Sequence, residues 1–132
     1  MNKSFTIDTG VINVIAGVCY GAFRNWCIAY EGRRLPDWTD ADFPLRHSYI
    51  DGVSFIYTNY KEGIIVTPEM LHEKWFKLKT HQGWQYGDVK DLINRKHPLL
   101  KPWGVLNTRQ RLVSELFVSI VFTFLRADES NG

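Results

Sequence analysis

Between His72 and Trp103 the chain reads HEKWFKLKTHQGWQYGDVKDLINRKHPLLKPW, a stretch in which aromatic rings alternate with cations. Trp75, Trp84, Tyr86 and Trp103 supply the rings. From His72 to Arg109 eight Lys or Arg stand against three acids, a local charge of +5 in a chain whose formal total is +2, so the remainder carries −3. Such a pattern suits a planar, anionic ligand, because rings stack on a base while cations hold phosphates. It equally describes a solvated basic face whose aromatics turn into a core, since large aromatics are usually buried.

Catalytic chemistry finds less support. His72-Glu73 begins a zinc-protease motif, but position 76 is Phe where the second His is needed. No pair among His47, His72, His81 and His97 has metal-ligand spacing. No phosphate-binding P-loop and no strand, Gly-rich turn, helix unit is present. Cys19 and Cys27 lie eight residues apart in one helical pattern, about 12 Å along the axis, too far for a disulfide and typical of inert buried thiols. Glu73 is spaced for an i,i+4 pair with Lys77. The reading is of a protein that is not an enzyme and needs no metal or cofactor.

At 132 residues the chain suits a single domain with one core. Its 45% hydrophobic and 14% aromatic content predicts a compact fold. A pI near 8.6 is too mild to indicate nucleic-acid binding. MNKSFTIDTG lacks the features of a signal peptide, and the apolar run Leu116 to Leu125 is too short to span a bilayer. The expectation is an intracellular, cytoplasmic protein with no membrane partner.

The elements that must position the rings and cations follow in order. Residues 1–10 read as a lead-in, residues 11–126 as the domain and residues 127–132 as a polar, frayed tail. Val11, Val14, Ile15, Val18, Cys19, Ala22, Trp26 and Ala29 predict a first helix over 9–30. Asn13, Gly17, Tyr20 and Arg24 form its polar stripe, and Gly17 admits a close neighbour. Residues 31–44 form a connection that Trp38 pins to the core. A second helix over 45–59 carries Gly52, again a mark of tight packing. Thr67 as N-cap and Pro68 at the first helical position start a third helix, which runs to Gln82 with Gly83 as its cap. Its apolar stripe is Leu71, Trp75 and Leu78. Residues 83–106 hold no period and predict a long ordered loop, anchored by Leu78, Val89 and Leu100. A last helix from Asn107 or Thr108 to Arg126 becomes apolar nearly all round, which places it at the centre of the fold or at a subunit contact. The fold class is all-α, four helices with the loop packed on them, and the last helix is the expected surface of a homo-oligomer.

The central segment closely resembles the RyR domain, named for its repeats in ryanodine receptors and found also in small stand-alone bacterial and phage proteins. The family pattern H-E-x-W, G-W-x-Y-G-x-V-[KR]-D and [KR]-x-H-P-x-L is met by His72, Glu73 and Trp75, then by Gly83, Trp84, Tyr86, Gly87, Val89, Lys90 and Asp91, then by Arg95, His97, Pro98 and Leu100. Upstream, VCYGAFRNWC is similar to the prokaryotic V-C-H-E-x-N-R-x-[YW]-C, with Tyr20 and Gly21 standing where those versions often carry His-Glu. The resemblance spans about residues 11–125.

It implies a small helical fold with no established catalysis. In ryanodine receptors a tandem pair of these domains binds adenine nucleotide, with the Trp of H-E-x-W stacked on the base; prokaryotic relatives are linked to nucleotide-derived signals in antiviral conflict. The resemblance therefore implies a binding module for an adenine-type nucleotide or a nucleotide-derived, cyclic or linear, signal, which a stand-alone copy would sequester as a phage anti-defence device. Trp75, Tyr86 and Trp84 would hold the base, Lys90, Arg95, Lys96 and Arg24 the phosphates, with His72 beside them. The alternative is a structural or protein-interaction domain without a small ligand. Helical spacing puts Trp75 in the core and the resemblance puts it against a ligand; a core that opens at Trp75 as a pocket wall satisfies both.

Overall fold

The computed structural model describes residues 7–131; residues 1–6, most of the expected lead-in, and residue 132 lie outside the described residues. Among them are four helices, α1 (Thr9–Glu31), α2 (Phe43–Lys61), α3 (Pro68–His81) and α4 (Thr108–Asn131), and one two-stranded parallel pair, β1 (Gln85–Tyr86) with β2 (Lys96–His97). The all-α expectation holds. Local chemistry sets the helix starts. Asp8 Oδ1 accepts from Val11 N at 2.9 Å, Asp42 Oδ1 from Leu45 N at 3.0 Å and Thr67 Oγ1 from Met70 N at 3.2 Å, each satisfying an amide that the helix cannot. Pro44 lies inside the first turn of α2, so the helix begins two residues earlier than its apolar pattern suggests. Gln82 closes α3, and Gly83 at φ 89° turns the chain away. The expected frayed tail is instead the end of α4, which continues to Asn131.

The core lies where α1, α2 and α4 meet, built from Ile15, Val53, Ile56, Val118, Val121 and Leu125. Gly52 lets α2 close on α4: a Cβ there would stand 2.8 Å from the Phe117 ring. Gly17 likewise admits Trp38, whose indole lies 3.2 Å from the Cβ position, so Trp38 does pin the connection. Tyr20 departs from the polar stripe assigned to it. The residue is fully buried, because the connection folds back over that side of α1 and Pro36 O accepts the Tyr20 hydroxyl proton at 2.7 Å. Ser114, Val118, Val121 and Leu125 of α4 point inward, leaving Phe124 as its exposed large apolar side chain among the described residues.

By length and composition α1 is apolar enough to cross a membrane, at mean hydropathy 1.3, yet it buries Ile15, Ala16, Cys19, Tyr20, Trp26 and Cys27 inside the fold as a core helix does. Both cysteines are free, and burial pushes their thiols up, to about 12 for Cys19 and about 11 for Cys27, which leaves them protonated and unreactive at neutral pH.

Residues 83–106 are held as a shaped loop. Gln85 N donates to Arg95 O at 2.9 Å, and Asp91 and Lys96 exchange two backbone bonds of 2.9 Å. Gly87 is required at this crossing, since a Cβ would fall 2.6 Å from Lys96 Cβ. Two tethers from α3 fix the far end: His72 Nε2 donates to Lys101 O at 2.6 Å, and Glu73 Oε1 accepts from Trp103 N at 3.3 Å. Glu73 thus secures the loop rather than pairing with Lys77. Leu99, Leu100 and Leu106 are the buried anchors. Val89, an expected anchor, is 76% exposed. The backbone pairing that closes the hairpin-like turn lifts it, with Leu92 and Ile93, off the core.

Candidate functional site

On α3, Trp75 and Lys79 are one helical turn apart and therefore share a face. That face does not close against another helix. It meets the loop across a cavity of about 490 Å³, whose other walls come from α2, α4 and the connection between α1 and α2. Trp75 is half-buried and lines this cavity. His97 packs against the indole at 5.1 Å between centroids and 75° between planes, and Trp84 lies 6.4 Å from the same imidazole. Tyr49, Phe23 and Phe117 extend the aromatic lining. The volume falls in the range of ordinary small-molecule pockets, roughly 300–1,000 Å³.

The cavity is electrostatically uneven. Lys74 Nζ pairs with Asp51 Oδ2 at 2.6 Å. Lys79 and Lys90 are partly buried and line the cavity, with no carboxylate within 4 Å among the described residues. Burial lowers the pKa of Lys79. Lys90 is lowered by burial first, then by repulsion from Arg33 and Lys79, against a smaller opposing pull from Asp42. His97 feels the same field: burial, then Lys90, Arg33 and Lys79, hold its imidazole down at about 3, so the ring is neutral. Leu99 N donates to His97 Nδ1 at 3.0 Å, which places the single ring proton on Nε2. Lys79 Nζ also sits 5.4 Å over the Trp84 ring, a cation held against an aromatic surface at the cavity wall. Such a constellation can stack a planar ring and receive an anion. Among the described residues no cluster of three or more His, Cys, Asp or Glu has the arrangement of a metal site.

The family model described as RyR domain matches residues 58–127, just over half of the chain. The chain belongs to the RyR domain family. The matched span begins in the last turn of α2 and ends in α4, so it contains α3 and the whole loop. The cavity of this RyR domain is completed by residues before the match, among them Phe23 of α1 and Ser48 and Tyr49 of α2. No solved structure matches the chain.

Of the residues read from the sequence as ligand-binding, the RyR domain brings four to the cavity: Trp75, Trp84, Lys90 and His72. His72 is also a tether, its Nε2–H committed to the Lys101 carbonyl. The other four have different placements. Arg24 pairs with Asp37 at 2.9 Å and donates to Leu35 O at 3.2 Å, binding α1 to the connection. Arg95 takes a positive φ of 54° and donates to Gln82 O at 2.6 Å, closing the C-terminal end of α3. Lys96 donates to Gln85 Oε1 at 2.6 Å across the strand pair, and Tyr86 donates to Asp88 Oδ1 at 2.6 Å. Tyr86 and Lys96 line a separate depression of about 640 Å³ on the outer side of the loop. Only loop residues 86–93 and 96 bound it, so water is not excluded there and charge contacts would be weak. Lys79 and His97 line the cavity without being among the ligand residues that the sequence suggests. For Lys79 the i,i+4 relation to Trp75 was the available signal, and for His97 the H-P element of the family pattern.

Proposed function

We propose that this RyR domain is a non-enzymatic binding module for an adenine-type nucleotide or a nucleotide-derived signal. One observation carries the reading: a partly open cavity whose aromatic wall, Trp75, Trp84 and His97, stands next to two lysines that lack a carboxylate partner within 4 Å among the described residues. The role proposed for a domain that holds a signal without turning it over is sequestration of that signal, an antiviral one in the reading its family resemblance implies. Thermal-shift or calorimetric screening against mono-, di- and cyclic nucleotides and ADP-ribose derivatives tests this. A ligand at a hundred times its Kd should add about 2.7 kcal/mol of stability. Binding should weaken with added salt only modestly, because the lysines are partly buried. Trp75→Ala should keep the fold and lose most of the affinity; a folded Trp75→Ala protein that binds unchanged would remove the stacking role.

Self-association through α4 belongs to the same proposal, with Phe124 as its exposed anchor. Light scattering should then show a mass above that of one chain at high concentration. A monomer throughout the concentration range refutes it. An interaction role without a small ligand is favoured by one feature alone, the exposure of Val89, Leu92 and Ile93 on a turn stiffened by three hydrogen bonds to the Asp91 carboxylate.

A further inference from the structure

The cavity has two chemically different walls. On the side of α3 and the loop lie Lys79, Lys90 and the Nε2–H of His97. That imidazole is only 9% exposed, and its Nε2 has no hydrogen-bond partner among the described residues. On the side of α2 and the connection before it lie Asp40, Asp42 and Asp51. Asp51 is neutralised by Lys74, while Asp40 and Asp42 have no ion pair within 4 Å among the described residues. The lining as a whole therefore has no surplus positive charge, with three lysines against three aspartates. Its positive charge is concentrated in one corner, at two lysines.

We infer that the ligand carries one compact phosphate, as a nucleoside monophosphate does, with that phosphate held by Lys79, Lys90 and His97 and its hydroxyl or amino groups turned to Asp40 and Asp42. This rests on the nucleotide reading above and narrows it. A phosphate monoester carries about −1.5 to −2 at neutral pH, which two lysines balance. A triphosphate brings further charge that the corner cannot neutralise. A cyclic dinucleotide has two separated phosphates, and its second one would be pushed onto the carboxylate wall, where like charges repel. Ribose hydroxyls and exocyclic amines are donors, which carboxylates accept. Two adjacent, partly buried lysines with no carboxylate within 4 Å among the described residues also destabilise the free protein, so the corner is strained until an anion fills it.

Calorimetry on the full chain with adenosine monophosphate, adenosine triphosphate, a cyclic dinucleotide and inorganic phosphate tests the inference. The monophosphate should bind about tenfold or more tighter than the triphosphate and the cyclic dinucleotide. Lys90→Met should weaken monophosphate binding by a similar factor while raising the melting temperature of the free protein. If Lys90→Met does not fold, Lys79→Met gives the same two readouts. Nucleotides that bind without this preference, or a triphosphate that binds tightest, overturn the inference and leave the nucleotide reading standing. Silence of all four probes overturns the inference, and silence of the ADP-ribose derivatives as well overturns the nucleotide reading with it. Unchanged monophosphate affinity in a folded lysine variant overturns the phosphate corner.

Discussion

Lowering the pH from 7 to 4 should cost the free protein about 3 kcal/mol through His97 alone. The folded imidazole is held at about 3 by burial and by Lys90, Arg33 and Lys79, whereas the unfolded value is the ordinary 6.5. As pH falls, the unfolded chain takes up its proton first. The stability is complete above about 6.5 and drains away between 6.5 and 3, at close to 1.4 kcal/mol for each pH unit. A small domain has roughly 5–15 kcal/mol in total, so the loss is large. Denaturant midpoints at pH 7 and pH 4 measure it, and carboxylates elsewhere add their own acid dependence. The informative quantity is therefore the difference from His97→Asn, whose side-chain oxygen can still accept from Leu99 N. That variant should lack about 3 kcal/mol of the acid loss. Equal losses in the two proteins, or an NMR titration of the His97 ring near its ordinary value, would contradict the assignment.

Tyr20→Ala should destabilise the fold by about 3–5 kcal/mol, the range for removing a fully buried aromatic side chain. The ring lies 5.6 Å from Trp38 and 5.3 Å from Tyr49 between centroids, and it is fully buried. Its hydroxyl adds a second contribution, donated to Pro36 O at 2.7 Å. Tyr20→Phe removes only that part-buried bond, and water can reach the carbonyl of the exposed Pro36, so the cost is about 0.5–1.5 kcal/mol. Equilibrium unfolding of the two variants separates packing from hydrogen bonding. Because Tyr49 is a cavity wall, Tyr20→Ala should also loosen the ligand site, whereas Tyr20→Phe should leave it intact. An alanine variant as stable as the native chain would mean that the connection does not hold α1 as described.

These two residues mark where sequence reasoning stopped. Tyr20 shares its helical face with Asn13, Gly17 and Arg24, and on α1 taken alone that face is polar. It becomes interior because residues 31–42 return across it and Tyr49 of α2 packs edge-on against its ring, contacts between segments that no helical period encodes. Gly17 was the available hint, for a glycine on a polar stripe marks a close neighbour, and Trp38 is that neighbour. For the cations the limit is similar. The +5 of the segment is visible in the sequence, but not which lysines face inward. The strand pair and the positive φ of Arg95 turn Arg95 and Lys96 outward, while Lys79 and Lys90 are left at the cavity.

By itself the sequence determined the four helices, the starts of α3 at Thr67 and of α4 at Asn107, the close approaches at Gly17 and Gly52 and, through the long motif from His72 to Leu100, the family. These are local: a hydrogen bond three residues away, a period of 3.6, a missing Cβ. Only the tertiary structure decided that Trp75 is a cavity wall rather than a core plug, that Glu73 and His72 tether a loop, and that the charge gathers in one corner. Those outcomes depend on residues roughly 10 to 50 positions apart being brought together, and on packing that stops short of closing over α3. The order in which side chains fill a space is a property of all the elements at once, so no single stretch of the chain contains it.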